Sequence, residues 1–287
     1  MTDEKKFSGW KRTYIGLLNA ATVICIIIGC VIHIGGWVGK DIWNGVMGWG
    51  GNSERASVAM AGDHSENTET FKKIKGEVAV GNVRLVEGDE YAVSYENYPE
   101  GEEPTYKVSD SVLKIEQKTK KKNIANMNDI KNRFKGARVV ITVPSDSQVE
   151  VDLKMNMGSI EIEDLTLEDV KLDADMGSID IKDAKMEDLD ISAEMGGIDI
   201  EDCKFEDSEI RADMGGIDVK DCDFIEMEAK ADMGGITISG NFDKLKCECA
   251  MGGITVNTGN GKNKLDLSAD MGGITVDGES VGRNYKN

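Results

Sequence analysis

Asp175-Met176-Gly177-Ser178-Ile179-Asp180-Ile181-Lys182-Asp183-Ala184-Lys185-Met186-Glu187-Asp188-Leu189-Asp190-Ile191-Ser192-Ala193-Glu194-Met195 is one period of a repeat that fills the C-terminal half of the chain. The motif Met-Gly-Gly/Ser-Ile-x-Ile/Val starts at Met157, Met176, Met195, Met214, Met233, Met251 and Met271, with successive spacings of 19, 19, 19, 19, 18 and 20 residues. Around Met176, apolar or small side chains fall at Val170, Leu172, Ala174 and Met176, then Ile179 and Ile181, then Ala184 and Met186, before Leu189 restarts the series. Steps of two mark a strand with one buried face, and each step of three is a corner that returns the next side chain to the inside. Each period is therefore expected to be a three-sided coil of short strands.

Copies aligned on methionine place like residues above one another, so the expected fold is all-β, a single-stranded parallel β-helix with about 19 residues per rung. Two helices do not fit in such a period, and no window shows the i, i+3, i+4, i+7 apolar stripe of a helix. A six-residue left-handed coil is a poor match because the inward steps are uneven. At roughly 4.8 Å per rung, the seven rungs make a rod on the order of 30 Å long. A lone rung cannot bury its inner face, so stability comes from its neighbours. The methionine column is read as core packing. Gly158, Gly177, Gly196, Gly215, Gly234, Gly252 and Gly272 are read as structural, at a corner that needs positive φ or close backbone approach. Gly240-Asn241-Phe242 shortens one corner, and the polar run Asn257 to Lys264 points to a C-terminal cap.

Upstream, Ile141 and Val143 of Val139-Val140-Ile141-Thr142-Val143-Pro144 are expected to form an incomplete entry rung below the first repeat. Gly76 to Val80, Tyr91 to Tyr95, Tyr106 to Val108 and Leu113 to Ile115 read as short strands of an irregular N-terminal part. Lys118 to Arg138, with eight Lys or Arg against one Asp, reads as a solvated loop, with docking to an acidic partner or to the coil itself as the alternative.

The N-terminus carries a different signal. Thr13 to Gly39 contains no Asp, Glu, Lys or Arg, which is long enough for a tilted transmembrane helix. Trp10, Trp37, Trp43 and Trp49 flank the span or lie just beyond it, where indole rings favour the headgroup level. Lys5, Lys6, Lys11 and Arg12 precede it, so the tail is expected in the cytoplasm and the C-terminal mass outside. A lipoprotein box at Cys30 and a signal-peptidase site at Ala59-Met60-Ala61 fit less well, since apolar residues follow Cys30 and Ala61 lies far beyond the span. The resulting division is a tail over 1–12, a span over 13–39, a juxtamembrane linker over 40–70, the irregular β part with its entry rung over 71–150, and the capped β-helix over 151–287.

Net charge is −19; residues 1–12 hold +2 and Lys40 +1, leaving −22 on 41–287. Such a field repels nucleic acid and favours cations or basic partners. Asp175, Glu194, Asp213 and Asp232 form an acidic column before the methionines and are weak candidate ligands for calcium, the one cofactor considered. Glu163, Lys182, Glu201 and Lys220 form a self-neutralising column beside Asp164, Asp183, Asp202 and Asp221. Cys203 and Cys222 occupy equivalent inward positions one rung apart, which suits a disulfide or two small core residues. His33 and His64 are the only histidines, so no His-based catalytic or zinc site is expected within the coil.

The basic tail, the single span, the Gly76-Glu77-Val78-Ala79-Val80 entry, Ile141 to Pro144 and the Gly-x-Ile-x-Ile rungs together resemble the bacterial "putative adhesin" family of unknown function. The likeness covers roughly residues 70–280, and that family is similar to parts of Gram-positive cell-envelope stress proteins. It implies a β-strand-repeat ectodomain with a surface or envelope role and supplies no catalytic residues. The expected function is a membrane-anchored, extracytoplasmic, non-enzymatic binding or envelope-sensing module, with cell wall, cationic peptide or protein as partner. A scaffold assembling through open solenoid ends is the alternative, and a polysaccharide-acting enzyme is third.

Overall fold

In the repeat, alternation and secondary structure coincide. Val170, Leu172 and Ala174 are buried in β10 (Val170–Met176), and Ile179 and Ile181 are buried in β11 (Ile179–Lys182). Ala184 and Met186 close the third side, where Lys185 bridges Thr166 below and Lys204 above. The next rung opens with β12 (Asp188–Met195) in parallel register, Val170 against Leu189, Leu172 against Ile191, Ala174 against Ala193 and Met176 against Met195. β11 pairs likewise with β13 (Ile198–Glu201), Ile179 against Ile198 and Ile181 against Ile200. The fold is thus an all-β parallel solenoid built on this period. The computed structural model describes residues 60–120, 127–145, 147–259 and 263–287.

Further along, strand pairing continues through the corners and the strands lengthen to β14 (Lys204–Met214), β15 (Ile217–Met233) and β16 (Ile236–Met251), Asp221 within β15 keeping its positive φ. Phe205, Phe224 and Phe242 stack face to face inside them, with centroids 5.2 and 4.8 Å apart and rings within 6° of parallel. The 18-residue spacing arises here, because between the Val219–Ile238 and Cys222–Gly240 pairs the two residues Lys220 and Asp221 face the single residue Ser239. β17 (Ile254–Thr258), β18 (Lys264–Met271) and β19 (Ile274–Val276) complete the parallel stack.

The N-terminal part departs from the sequence reading. β2 (Lys73–Val78) and β3 (Asn82–Gly88) form the rung directly below β8 (Glu150–Met157) and β9 (Ile160–Glu163), with Val83 against Ile160 and Leu85 against Ile162. Gly81 donates to the Met157 carbonyl at 3.0 Å and so occupies the corner column. β6 (Val112–Gln117) and β7 (Arg138–Pro144) lie one level further out, β6 on β2 and β7 on β3. Ile141 and Val143 therefore do not adjoin the first repeat; Leu85 and Glu87 intervene in register. The chain completes the β2–β3 rung, doubles back to build the next level outward, then crosses it to start β8.

Both ends of the stack are covered. β4 (Ala92–Glu96) pairs antiparallel with β7, β1 (His64–Asn67) with β4, and β5 (Thr105–Ser109) with β6. At the other end β20 (Glu279–Gly282) and β21 (Asn284–Lys286) cap β19 and β18 antiparallel. The terminal rungs, which the alternative scaffold reading needs open, are therefore paired, and short antiparallel edges are poor templates for end-to-end growth. The linker reading of 40–70 is likewise corrected at its C-terminal end, where β1 and the Met60–Pro99 bridge join the cap.

The segment 118–138 is not simply a solvated loop. It contains a helix, Met127–Arg133, and Arg133 ion-pairs with Glu102, whose side chain is fully buried. The Lys120 amide also donates to Glu102, at 3.2 Å. A buried carboxylate needs such partners, which fastens the basic segment to the cap. The expected tail over 1–12 and span over 13–39 lie outside the described residues. Among the described residues no helix is long and apolar enough to cross a membrane.

Candidate functional site

At the first corner each glycine amide donates to the methionine carbonyl one rung above: Gly177 to Met195 at 2.9 Å, Gly196 to Met214 at 3.0 Å, Gly215 to Met233 at 2.9 Å. The stacking is so close that a Cβ on Gly177 would stand 1.6 Å from the Gly158 carbonyl oxygen, at a φ of 152° that disfavours any side chain. Gly158, Gly196, Gly215, Gly234, Gly252 and Gly272 meet the same obstacle, 1.6 to 2.1 Å from the carbonyl below.

This geometry overturns the core reading of the methionine column. With the backbone tight at the corner, the side chain before it turns outward. Met195, Met214, Met233 and Met251 are 41 to 43% exposed and Met271 is 60% exposed, whereas Met155, Met186 and Met227 in other columns are buried. Only Met157 and Met176 are half-buried. The period-two count places Met176 in phase with Ala174, and only the backbone course at the glycine shows the break in phase.

The acidic column borders this ladder. Glu194, Asp213 and Asp232 are exposed and line a shallow groove of about 580 Å³ with Met195, Met214, Met233, Ala250 and Met251. Asp175 is half-buried and lies 3.4 Å from the Lys154 ammonium. Among the described residues no three His, Cys, Asp or Glu side chains converge to hold a metal. Parallel stacking sets successive carboxylates in a straight line about 4.8 Å apart, whereas calcium takes six to eight oxygens around a point. Asp180, on the far side of the corner, has its carboxyl pushed up by burial, opposed by a 2.8 Å hydrogen bond from Ser178.

The second corner holds residues whose role the sequence reading missed. Asp164, Asp183, Asp202 and Asp221 have φ of 57°, 51°, 54° and 53°, the left-handed conformation that Asp and Asn tolerate better than most residues. Short polar side chains repeated at a corner were the available signal. In the neighbouring column Lys182 bonds Glu201 at 2.6 Å and holds its carboxyl below the usual range, while Lys220 turns instead to Asp218 at 2.7 Å. Asp223 is also held low, by Lys204 at 2.7 Å and Asn241 at 2.9 Å. Exposed pairs of this kind are screened by water and add little to stability.

Cys203 and Cys222 are buried free thiols on adjacent rungs, the Cys203 amide 3.4 Å from the Cys222 sulfur. Their mutual hydrogen bond and burial push the Cys222 thiol up. Cys247 is pushed up by burial as well. The surroundings of Cys222 and Cys247 disfavour a thiolate, whereas the hydrogen bond from Cys222 holds the Cys203 thiol below its ordinary value. His64 lies in the cap, 2.6 Å from the Tyr106 hydroxyl, outside the repeating rungs.

The family model described as Toastrack DUF4097 matches residues 71–287. Among solved structures, a putative adhesin from Bacteroides fragilis superposes with a TM-score of 0.56 at 19% identity, covering 75% of this chain and 94% of that one. A putative adhesin from Parabacteroides merdae gives a TM-score of 0.42 at 14% identity, covering 76% and 95%. No curated protein matches the sequence.

Proposed function

Because the chain belongs to the Toastrack DUF4097 family, we propose that it is a non-enzymatic binding module of the cell envelope. In this reading the apolar segment over 13–39 tethers it and the solenoid stands outside the cell. Its methionine corner takes the apolar face of a cationic amphipathic peptide. The observation that carries the reading is the exposed ladder Met195, Met214, Met233 and Met251 bordered by Glu194, Asp213 and Asp232. A contiguous apolar stripe on a soluble surface marks an interaction site, and methionine adapts its shape to varied partners. The flanking carboxylates and the charge of −22 on residues 41–287 select a basic partner and speed its approach.

Binding of the full chain to an amphipathic lysine-rich helical peptide tests this. Replacing Glu194 by Gln and Asp213 and Asp232 by Asn is expected to weaken binding about tenfold at low salt. Equal affinity of the neutralised variant, or equal binding of an uncharged peptide, removes the proposal. For the topology, protease added to intact cells should degrade the solenoid; protection until the cells are lysed would place it inside.

A further inference from the structure

We infer that the methionine ladder is also a binding site for a soft monovalent metal ion, Cu(I), held between thioethers of adjacent rungs. The first ground is selective invariance within the molecule. The buried column in register two strands' width inside the rungs runs Leu153, Leu172, Ile191, Ile210, Ala229, Cys247, Leu267, so the core accepts any residue of suitable bulk. The corner column is methionine at all seven positions, although Met195, Met214, Met233, Met251 and Met271 are exposed and Met157 alone in the column packs against the core. An apolar contact alone would be met by leucine there, so what repeats is the sulfur.

The second ground is spacing. Met195, Met214, Met233 and Met251 are directly paired in register on parallel strands, which sets successive residues about 4.8 Å apart. Two sulfurs on opposite sides of one ion, each at a metal–sulfur distance of about 2.3 Å, are separated by nearly the same length. The unbranched side chain supplies the remaining adjustment. Thioether sulfur is a soft ligand that selects Cu(I) over hard ions, and the straight carboxylate column offers no oxygen cage for the latter. Glu194, Asp213 and Asp232 supply the negative charge that a cation bound by neutral sulfurs requires.

This inference does not rest on the peptide proposal. The test titrates the full chain, labelled with carbon-13 at the methionine methyls, with Ag(I) as a redox-stable probe. The methyl resonances of Met195, Met214, Met233 and Met251 are expected to shift and saturate together, while those of the buried Met155 and Met227 stay in place. The triple variant Met195→Leu, Met214→Leu, Met233→Leu is expected to lose these shifts and at least one equivalent of bound silver, the cysteines binding equally in both proteins. Peptide binding is read separately on the unsubstituted chain in the absence of silver, so the two proposals fail separately. Ladder methyls that do not move, equal shifts with Ca²⁺ or Zn²⁺, or unchanged silver stoichiometry in the triple variant would each overturn it. Because the wild-type resonances carry the result directly, poor folding of the variant leaves the test intact.

Discussion

Val83 lies in parallel register against Ile160, while Val139, far closer to Ile160 in sequence, pairs with the other side of Val83. The β2–β3 rung is thereby clamped between two levels that are consecutive in the chain. Leu85, fully buried in that rung, faces Ile141 on one side and Ile162 on the other. Leu85→Ala is expected to cost about 2 to 5 kcal/mol through the cavity it leaves. Amide exchange should speed up in both β7 and β9; loss of protection confined to β7 would contradict the clamped order.

The corner glycines separate steric need from repetition. Gly177→Ala brings a Cβ onto the Gly158 carbonyl at a strained φ, and is expected to cost about 4 kcal/mol or more. Gly273 has nothing within 4 Å of its would-be Cβ, so Gly273→Ala should stay within about 0.5 kcal/mol of the parent. Urea midpoints of the two variants decide the matter.

At the second corner, conformation and charge are separable. Asp202 has φ 54°, so Asp202→Asn should leave thermal stability nearly unchanged while Asp202→Ala costs about 1 kcal/mol. If Asn is as damaging as Ala, the carboxylate itself matters and the conformational account is wrong.

Alkaline titration probes the N-terminal cap. Burial, reinforced by a hydrogen bond to Glu66, pushes the Tyr106 hydroxyl up to about 12. A folded value above the unfolded one, near 10, means that the native state holds the proton more tightly. The associated stability is complete below about pH 10 and is lost as pH rises toward 12. In Tyr106→Phe, melting temperature followed from pH 9 to 12 should fall less steeply than in the parent; parallel curves would remove Tyr106 as the cause.

The repeat was legible because period-two alternation and identical spacing specify each strand, each corner and the stacking partner locally. Val170, Leu172, Ile179 and Ile181 could be assigned inward from sequence, and the register of Met176 on Met195 followed from repetition. Two features were not legible. The exposure of Met195 and its neighbours depends on how a backbone packed against the carbonyl below redirects the side chain ahead of it, and alternation carries no record of that turn. The pairing of Val83 with Ile160 depends on which of two similar apolar strands reaches the edge of the first repeat. Both Leu85 and Ile141 satisfy the same hydrophobic pattern. Local pattern specifies what a strand buries, whereas the choice between equivalent neighbours is a long-range competition settled only when the connections and caps assemble around them.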